Sequence, residues 1–171
     1  MWFEQGKNEV GYHILKKPYN NLFVGSDPLD GMTLEFAQSF DVFLNFCENP
    51  LYSLDSERPR EDTVYHHVPV DELEFWGYKV FSDSKLILDD AFEGSKRVYI
   101  HCAAGTNRSP CMTVAWLTSR GHSLEEACSI VGGNLAELLE EKFMMNIDDL
   151  GCIPKDLDKF YKSMINLNKK P

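Results

Sequence analysis

Short apolar runs bounded by turn residues recur along the first two thirds of the chain. They lie at 21–25 (NLFVG), 41–47 (DVFLNFC), 63–70 (TVYHHVPV) and 96–101 (KRVYIH). Their length and their content of β-branched and aromatic residues predict β-strands. The polar segment 48–62, which contains Pro50 and Pro59, is expected to form a surface loop between two of them.

Other segments repeat their apolar positions with a helical period. The amphipathic stretch 75–92 predicts a helix that ends at Gly94, and Pro110 favours the start of another. Ser123 and Glu126 have the spacing of a capping box. The expected helices are 33–40, with Thr33 as cap, 75–92, 109–120, a segment from Ser123 to the Gly132-Gly133 pair, 134–145 and 155–167. This alternation predicts an α/β fold with a central, mainly parallel sheet of about five strands flanked by helices.

Length and composition narrow the class of protein. A chain of 171 residues with 43% hydrophobic and 26% charged positions is typical of one globular domain, which we expect to span residues 1–171. Its first residues lack the pattern of a secretory signal, and no apolar run reaches the length of a membrane span. We therefore expect a cytoplasmic protein, with the nucleus as a second location, and no membrane partner. The sequence leaves the oligomeric state open.

Charge and cysteine content argue against several partners and cofactors. The formal net charge of −10 disfavours nucleic acid, whose phosphates would be repelled on average. The five cysteines are odd in number and form no Cys-x-x-Cys pair, which disfavours zinc and a disulfide framework. His66 and His67 lie on a predicted strand without further ligands. We expect no metal site and no cofactor.

Residues 101–109 (HCAAGTNRS) carry the strongest chemical signal. They connect a predicted buried strand to a helix N-terminus, where backbone N–H groups and the helix dipole favour a phosphate. Small side chains at 103–105 leave the backbone accessible, and Arg108 offers a planar fork for two phosphate oxygens. This field would stabilise a thiolate at Cys102, and Ser109 could donate a hydrogen bond to it. The predicted phosphate-binding residues are Ala103, Ala104, Gly105, Thr106, Asn107 and Arg108, with Asn107 bracing the loop and His101 orienting it through backbone contacts.

The pattern His-Cys-x-x-Gly-x-x-Arg-Ser at 101–109 resembles the signature of the protein tyrosine phosphatase superfamily. The segments 108–117 (RSPCMTVAWL), 121–127 (GHSLEEA) and 21–26 (NLFVGS) are similar to its small, atypical dual-specificity branch. The resemblance extends over residues 12–131. It implies a phosphatase fold in which Cys102 is the nucleophile and a phosphocysteine is the intermediate.

The resemblance also implies a general acid on a loop that precedes the nucleophile. Asp71, directly after the strand predicted at 63–70, is the favoured candidate, with Glu72 and Glu74 as alternatives. The position of Cys47 resembles that of the cysteine that forms a reversible disulfide with the nucleophile in phosphoinositide 3-phosphatases. A buried apolar role is the alternative for Cys47.

Taken with the resemblance, these residues predict a phosphomonoesterase for phosphotyrosine, and for phosphoserine or phosphothreonine, in proteins. The same chemistry on a nucleotide, an RNA 5′ phosphate or an inositol phosphate is the first alternative. A phosphate-binding pseudophosphatase, or a rhodanese-like or arsenate-reducing protein, is a weaker one. The chain departs from the family in its long charged segment 51–62 and after Val131, where Gly-Gly-Asn-Leu replaces an expected Arg-Pro. Substrate choice is expected to depend on these segments.

Overall fold

The fold is taken from a computed structural model that describes residues 11–50, 60–70, 78–103 and 108–132. The helices expected at 134–145 and 155–167 lie outside the described residues, as does most of the charged segment 51–62. No helix within the described ranges is both long enough and apolar enough to cross a membrane.

A five-stranded sheet forms the centre of the molecule. Its strands are β1 (Tyr12–Ile14), β2 (Leu22–Gly25), β3 (Val42–Asn45), β4 (Val64–His67) and β5 (Val98–His101), in the order β1-β2-β5-β3-β4. β2, β5, β3 and β4 are parallel to one another, and β1 is antiparallel at the edge. The predicted α/β class and mainly parallel sheet are therefore confirmed. β5 is the middle strand, so the segment that follows it leaves the centre of the sheet at the carboxyl ends of the parallel strands.

Side chains alternate between two separate cores on the two faces of the sheet. On β5, Val98 and Ile100 join the larger core, whereas Tyr99 joins a smaller aromatic core with Phe40 and Phe43. All five side chains are buried. Strands covered on both faces read as continuous apolar runs, which is why β2, β3 and β5 could be recognised in the sequence.

In the part of the chain that the structure describes, the α-helices are α1 (Leu34–Gln38), α2 (Tyr78–Glu93), α3 (Arg108–Ser119) and α4 (Leu124–Val131). Thr33 caps α1 as predicted, by accepting from the backbone N–H of Phe36. The predicted capping box of α4 is also present, since Ser123 and Glu126 each accept from the other's backbone N–H. α3 contributes Trp116, the largest fully buried side chain, to the larger core.

Two features differ from expectation. The predicted runs are longer than the strands that form, and in the run 63–70 the strand stops at His67, two residues before Pro69. A proline cannot donate a ladder hydrogen bond, so the regular ladder ends before it, and beyond it the Val70 N–H still donates to the Phe46 carbonyl at 3.2 Å. β1 was not predicted: its three residues are all exposed, and it is ordered by pairing with β2 rather than by burial of its own side chains.

Candidate active site

Cys102 lies at the point where β5 ends, at the centre of the sheet edge. Its side chain is only 1% exposed and belongs to the larger core. The residue register places Gly25 of β2 and Asn45 of β3 on either side of His101. Segments that leave both neighbouring strands therefore flank the cysteine.

The first turn of α3 brings Ser109 back to Cys102. The Ser109 Oγ lies 3.3 Å from the Cys102 Sγ, within hydrogen-bonding distance for a sulfur atom, and both side chains are buried. The Ser109 backbone carbonyl in turn accepts from the Thr113 hydroxyl at 2.8 Å. A hydroxyl that can donate to sulfur is thus fixed by a rigid helix, the arrangement that the sequence predicted for these two residues.

Arg108, the first residue of α3, turns its guanidinium toward the ends of two strands. Its Nη1 donates to the carbonyl oxygen of Val70 at 3.1 Å and to that of Phe46 at 3.4 Å. The side chain is 7% exposed. The positive charge is therefore held beside the carboxyl ends of β3 and β4, and a charge so far removed from water interacts strongly with an anion that reaches it.

His101 is completely buried next to the cysteine, and burial lowers its pKa to about 3. A hydrogen bond to the Cys102 backbone opposes that shift, while the charges of His67 and Arg108 add to it. The imidazole is consequently neutral at physiological pH. The imidazole contacts the backbone of Cys102, and its role in orienting the loop stays a prediction.

Cys47 follows β3, and its side chain approaches His101. Its Sγ lies 4.0 Å from His101 Nδ1, its backbone N–H donates to the Asn45 side chain at 2.7 Å, and its carbonyl oxygen lies 2.7 Å from His67 Nε2. The two predicted cysteine positions, Cys47 and Cys102, therefore both adjoin the His101 segment. Both carry thiols in this structure.

Of the residues predicted for the site, the structure describes Cys102, Ala103, Arg108, Ser109 and Cys47, and it brings Cys102 and Ser109 within hydrogen-bonding distance. Asp71, Glu72, Glu74, Ala104, Gly105, Thr106 and Asn107 lie outside the described residues. Within the described ranges, no group of three or more His, Cys, Asp or Glu side chains is arranged to hold a metal ion.

Sequence reasoning missed the contacts that the backbone makes to the site. The carbonyl oxygens of Phe46 and Val70 receive Arg108, and the backbone N–H of Asp27 donates to the Ala103 carbonyl at 2.9 Å. Every residue type offers such groups, so no residue pattern marks them. Only the order of the strands indicates that segments 26–28, 46–47 and 68–70 converge here.

A cysteine at the end of the central parallel strand, with a serine and an arginine from the following helix, defines a phosphatase of the protein tyrosine phosphatase superfamily. Residues 22–151 match the family described as "Dual specificity phosphatase, catalytic domain". The chain belongs to this family. No match was found among curated proteins.

Solved structures of similar fold agree with this assignment. A mutant form of Tk-PTP, in which an alanine replaces one glycine, is 25% identical, with a TM-score of 0.58, and the match covers 80% of this chain and 93% of that one. PTPMT1 in complex with PI(5)P is 18% identical, with a TM-score of 0.61 and coverage of 92% and 94%. Human DUSP28 is 16% identical, with a TM-score of 0.54 and coverage of 82% and 95%. The last two likenesses are of fold.

Proposed function

We propose that this phosphatase removes phosphate from phosphotyrosine, and from phosphoserine or phosphothreonine, in proteins by way of a phosphocysteine intermediate. The observation that carries the proposal is the approach of Ser109 Oγ to within 3.3 Å of Cys102 Sγ, beside the buried Arg108. A thiolate at the N-terminus of α3 would be stabilised by the helix dipole and by the serine hydroxyl. Both contributions also favour a bound phosphate.

In the first half of the reaction, the Cys102 thiolate attacks phosphorus, and an S–P bond forms as the P–O ester bond breaks. Asp71 protonates the departing oxygen. In the second half, water attacks phosphorus, Asp71 accepts the proton, and the S–P bond breaks to release inorganic phosphate and the thiolate. Arg108, together with the backbone N–H groups of residues 103–107, neutralises the phosphoryl oxygens.

The assignment of Asp71 as acid has support from the residue that precedes it. The Val70 carbonyl accepts from Arg108 Nη1 at 3.1 Å, and the Val70 N–H donates to the Phe46 carbonyl at 3.2 Å. The segment after β4 therefore passes directly beside the phosphate-binding arginine before it reaches Asp71.

Hydrolysis of an aryl phosphate in the presence of a chelator tests the reaction. We expect the native chain to be active and Cys102→Ser to lose activity by about 10⁴-fold or more, because a serine hydroxyl stays protonated where a thiolate is needed. Cys111→Ser is the matched control, since it makes the same change at another buried cysteine, which lies in α3. Activity that survived in Cys102→Ser would overturn the mechanism, and Cys111→Ser should stay close to the native rate.

A non-protein substrate is the second candidate, and one comparison favours it: PTPMT1, similar in fold, was solved in complex with PI(5)P. The net charge of −10 favours the protein substrate, because further phosphates on a ligand would be repelled. Rates with phosphopeptides, nucleoside triphosphates, 5′-phosphorylated RNA and inositol phosphates distinguish the two. A kcat/KM for any non-protein substrate above that for every phosphopeptide would contradict the proposed substrate class.

The predicted single domain spanning 1–171 and the cytoplasmic location stay predictions. A limited proteolysis pattern with no stable fragment shorter than the chain would support the first, and fractionation of the cell would test the second.

A further inference from the structure

The segment that leaves β2 runs alongside the start of the phosphate-binding loop. Gly25 pairs with His101 in the sheet, so Ser26 and Asp27 come beside Cys102 and Ala103. The backbone N–H of Asp27 donates to the carbonyl oxygen of Ala103 at 2.9 Å. The residue directly after the nucleophile is therefore held from outside the loop.

The hydroxyl of a buried tyrosine binds the same segment. The Tyr99 hydroxyl, two residues upstream of His101 on β5, donates to the carbonyl oxygen of Ser26 at 2.7 Å. Burial raises the pKa of Tyr99, and the charges of Asp27 and Cys102 raise it further, so the hydroxyl remains a donor at any physiological pH. The ring is fully buried in the aromatic core, where it contacts Phe40 and Phe43.

The two residues on either side of Ser26 also fix the path of this segment. A Cβ at Gly25 would overlap the Tyr99 hydroxyl and would lie 2.7 Å from the Gly11 carbonyl oxygen, so only glycine fits at the end of β2. The Asp27 carboxylate accepts from the backbone N–H of Leu29 at 3.0 Å and caps the short 3₁₀ helix Pro28–Asp30. The direction of the chain after Asp27 is thereby fixed as well.

We propose that Tyr99, Ser26 and Asp27 form a strap that sets the position of the phosphate-binding loop at Ala103, with Tyr99 and Asp27 as positioning residues for oxyanion binding. The strap links β5, which delivers the nucleophile, to the first residue beyond it. A loop that must present backbone N–H groups to a phosphate tolerates little displacement, because an error of about 1 Å in a reacting geometry costs about a hundredfold in rate. The proposal rests on the proposed function, since it requires that the loop bind a phosphoryl group.

Two pairs of substitutions isolate the two hydrogen bonds. Tyr99→Phe removes only the hydroxyl, and Tyr12→Phe makes the same change on an exposed ring that contacts Phe23 and Phe36 of the aromatic cluster. Asp27→Pro removes the N–H that donates to Ala103, and the φ of −53° at this position suits proline. Asp27→Ala is its matched control. It keeps that N–H, and, like the proline substitution, it removes the carboxylate that caps the 3₁₀ helix.

The measurement is inhibition by orthovanadate, well below the melting temperature of every variant, together with kcat and KM for an aryl phosphate. We expect Tyr99→Phe to weaken vanadate binding by about 3- to 10-fold and Asp27→Pro by about 10-fold or more, following the strength of single buried hydrogen bonds. Tyr12→Phe and Asp27→Ala should stay within about twofold of the native value on the same basis. Thermal unfolding of all four reports any general loss of stability separately.

Different results would contradict the strap and the proposed function. Equal vanadate affinity for Asp27→Pro and Asp27→Ala, or a Tyr99→Phe variant that loses only thermal stability, would overturn the strap. A native chain that bound no vanadate and hydrolysed no phosphate ester would instead overturn the proposed function.

Discussion

At the scale of residues, Ser109 is the side chain positioned to act on the breakdown of the proposed phosphocysteine. Its hydroxyl lies 3.3 Å from the Cys102 sulfur, and its backbone is fixed by the Thr113 hydroxyl one turn further along α3. A hydrogen bond to the sulfur matters most when the sulfur becomes an anion, which happens as the S–P bond breaks. Loss of the hydroxyl should therefore slow the hydrolysis of the phosphocysteine more than its formation.

We predict that Ser109→Ala lowers kcat by about 10- to 100-fold, the effect of one hydrogen bond to a charged group. Because the second half of the reaction becomes limiting, rapid mixing with an aryl phosphate should give a burst of phenol equal to the enzyme concentration. Ser84→Ala is the control: Ser84 is also fully buried in a helix, where its hydroxyl donates to the Val80 carbonyl at 2.7 Å. A lower kcat without a burst would place the role of Ser109 before the intermediate.

Cys47 is a second single residue that we expect to react at the site. Its sulfur lies 4.0 Å from His101 Nδ1, and His101 is the residue next to the nucleophile. We predict that hydrogen peroxide oxidises the Cys102 thiolate to a sulfenic acid, which the Cys47 thiol then attacks to form a disulfide with loss of water. The native chain should recover most of its activity after a dithiol reductant.

Cys47→Ser should recover several-fold less activity after the same treatment, because a sulfenic acid without a resolving thiol is oxidised further and irreversibly. Cys128→Ser removes another buried thiol, whose pKa burial raises to about 12, and should recover as the native chain does. Equal recovery in Cys47→Ser would leave Cys47 with a packing role only.

At the scale of elements, β5 leads into Cys102, the proposed nucleophile, α3 begins with Arg108, and β4 precedes the proposed acid, Asp71, in the chain. The hydrogen bond from Arg108 to the Val70 carbonyl joins α3 to the segment after β4, one residue before Asp71. Substitutions at Asp71 should therefore alter proton transfer to the leaving group, without weakening the attack of Cys102.

We predict that Asp71→Asn lowers kcat/KM by about 100-fold or more for a phenyl phosphate, whose leaving group needs a proton. The loss should be much smaller for an aryl phosphate with a strongly acidic phenol. Glu72→Gln and Glu74→Gln are the controls and should keep the native dependence on the leaving group. The same loss for both esters in Asp71→Asn, with a selective loss in either control, would move the acid to that glutamate.

The elements that position the nucleophile could be predicted because their signals are local. The apolar run of β5 and Pro110 in α3 are each a short local signal, and each favours its own structure regardless of the rest of the chain. β1 could not be predicted, since its partner β2 supplies its order. The backbone carbonyls that receive Arg108 escaped prediction for the same reason, because they are brought to it by strands distant in sequence.

For the molecule as a whole, burial of histidine beside the active site makes stability depend on pH. Burial lowers the pKa of His101 from 6.5 to about 3, and burial also lowers that of His66. The unfolded chain binds protons in this range that the folded chain excludes. The free energy of unfolding should consequently fall as the pH falls below 6.5 and continue to fall until His101 itself is protonated near pH 3.

A second set of groups acts at lower pH and can be separated from the first. Asp41 and Asp89 have pKa values below the ordinary 3.8: burial opposes the shift, but backbone and side-chain hydrogen bonds from Arg97, Arg60, Lys85 and Trp116, with nearby positive charges, outweigh it. These carboxylates stabilise the fold above about pH 4, and that contribution is lost only as the pH falls through their lowered pKa. Of His66, His101, Asp41 and Asp89, only the two histidines change their protonation on unfolding between pH 6.5 and 4.5.

We therefore predict that urea unfolding between pH 6.5 and 4.5 gives a free energy that falls with decreasing pH, and that His101→Asn removes up to about 1.4 kcal/mol per pH unit from that slope. The variant should be less stable than the native chain at pH 7 and should approach it as the pH falls. A slope unchanged in His101→Asn would mean that the buried imidazole accepts a proton in the folded state, and that the neutral His101 assigned to this site is wrong.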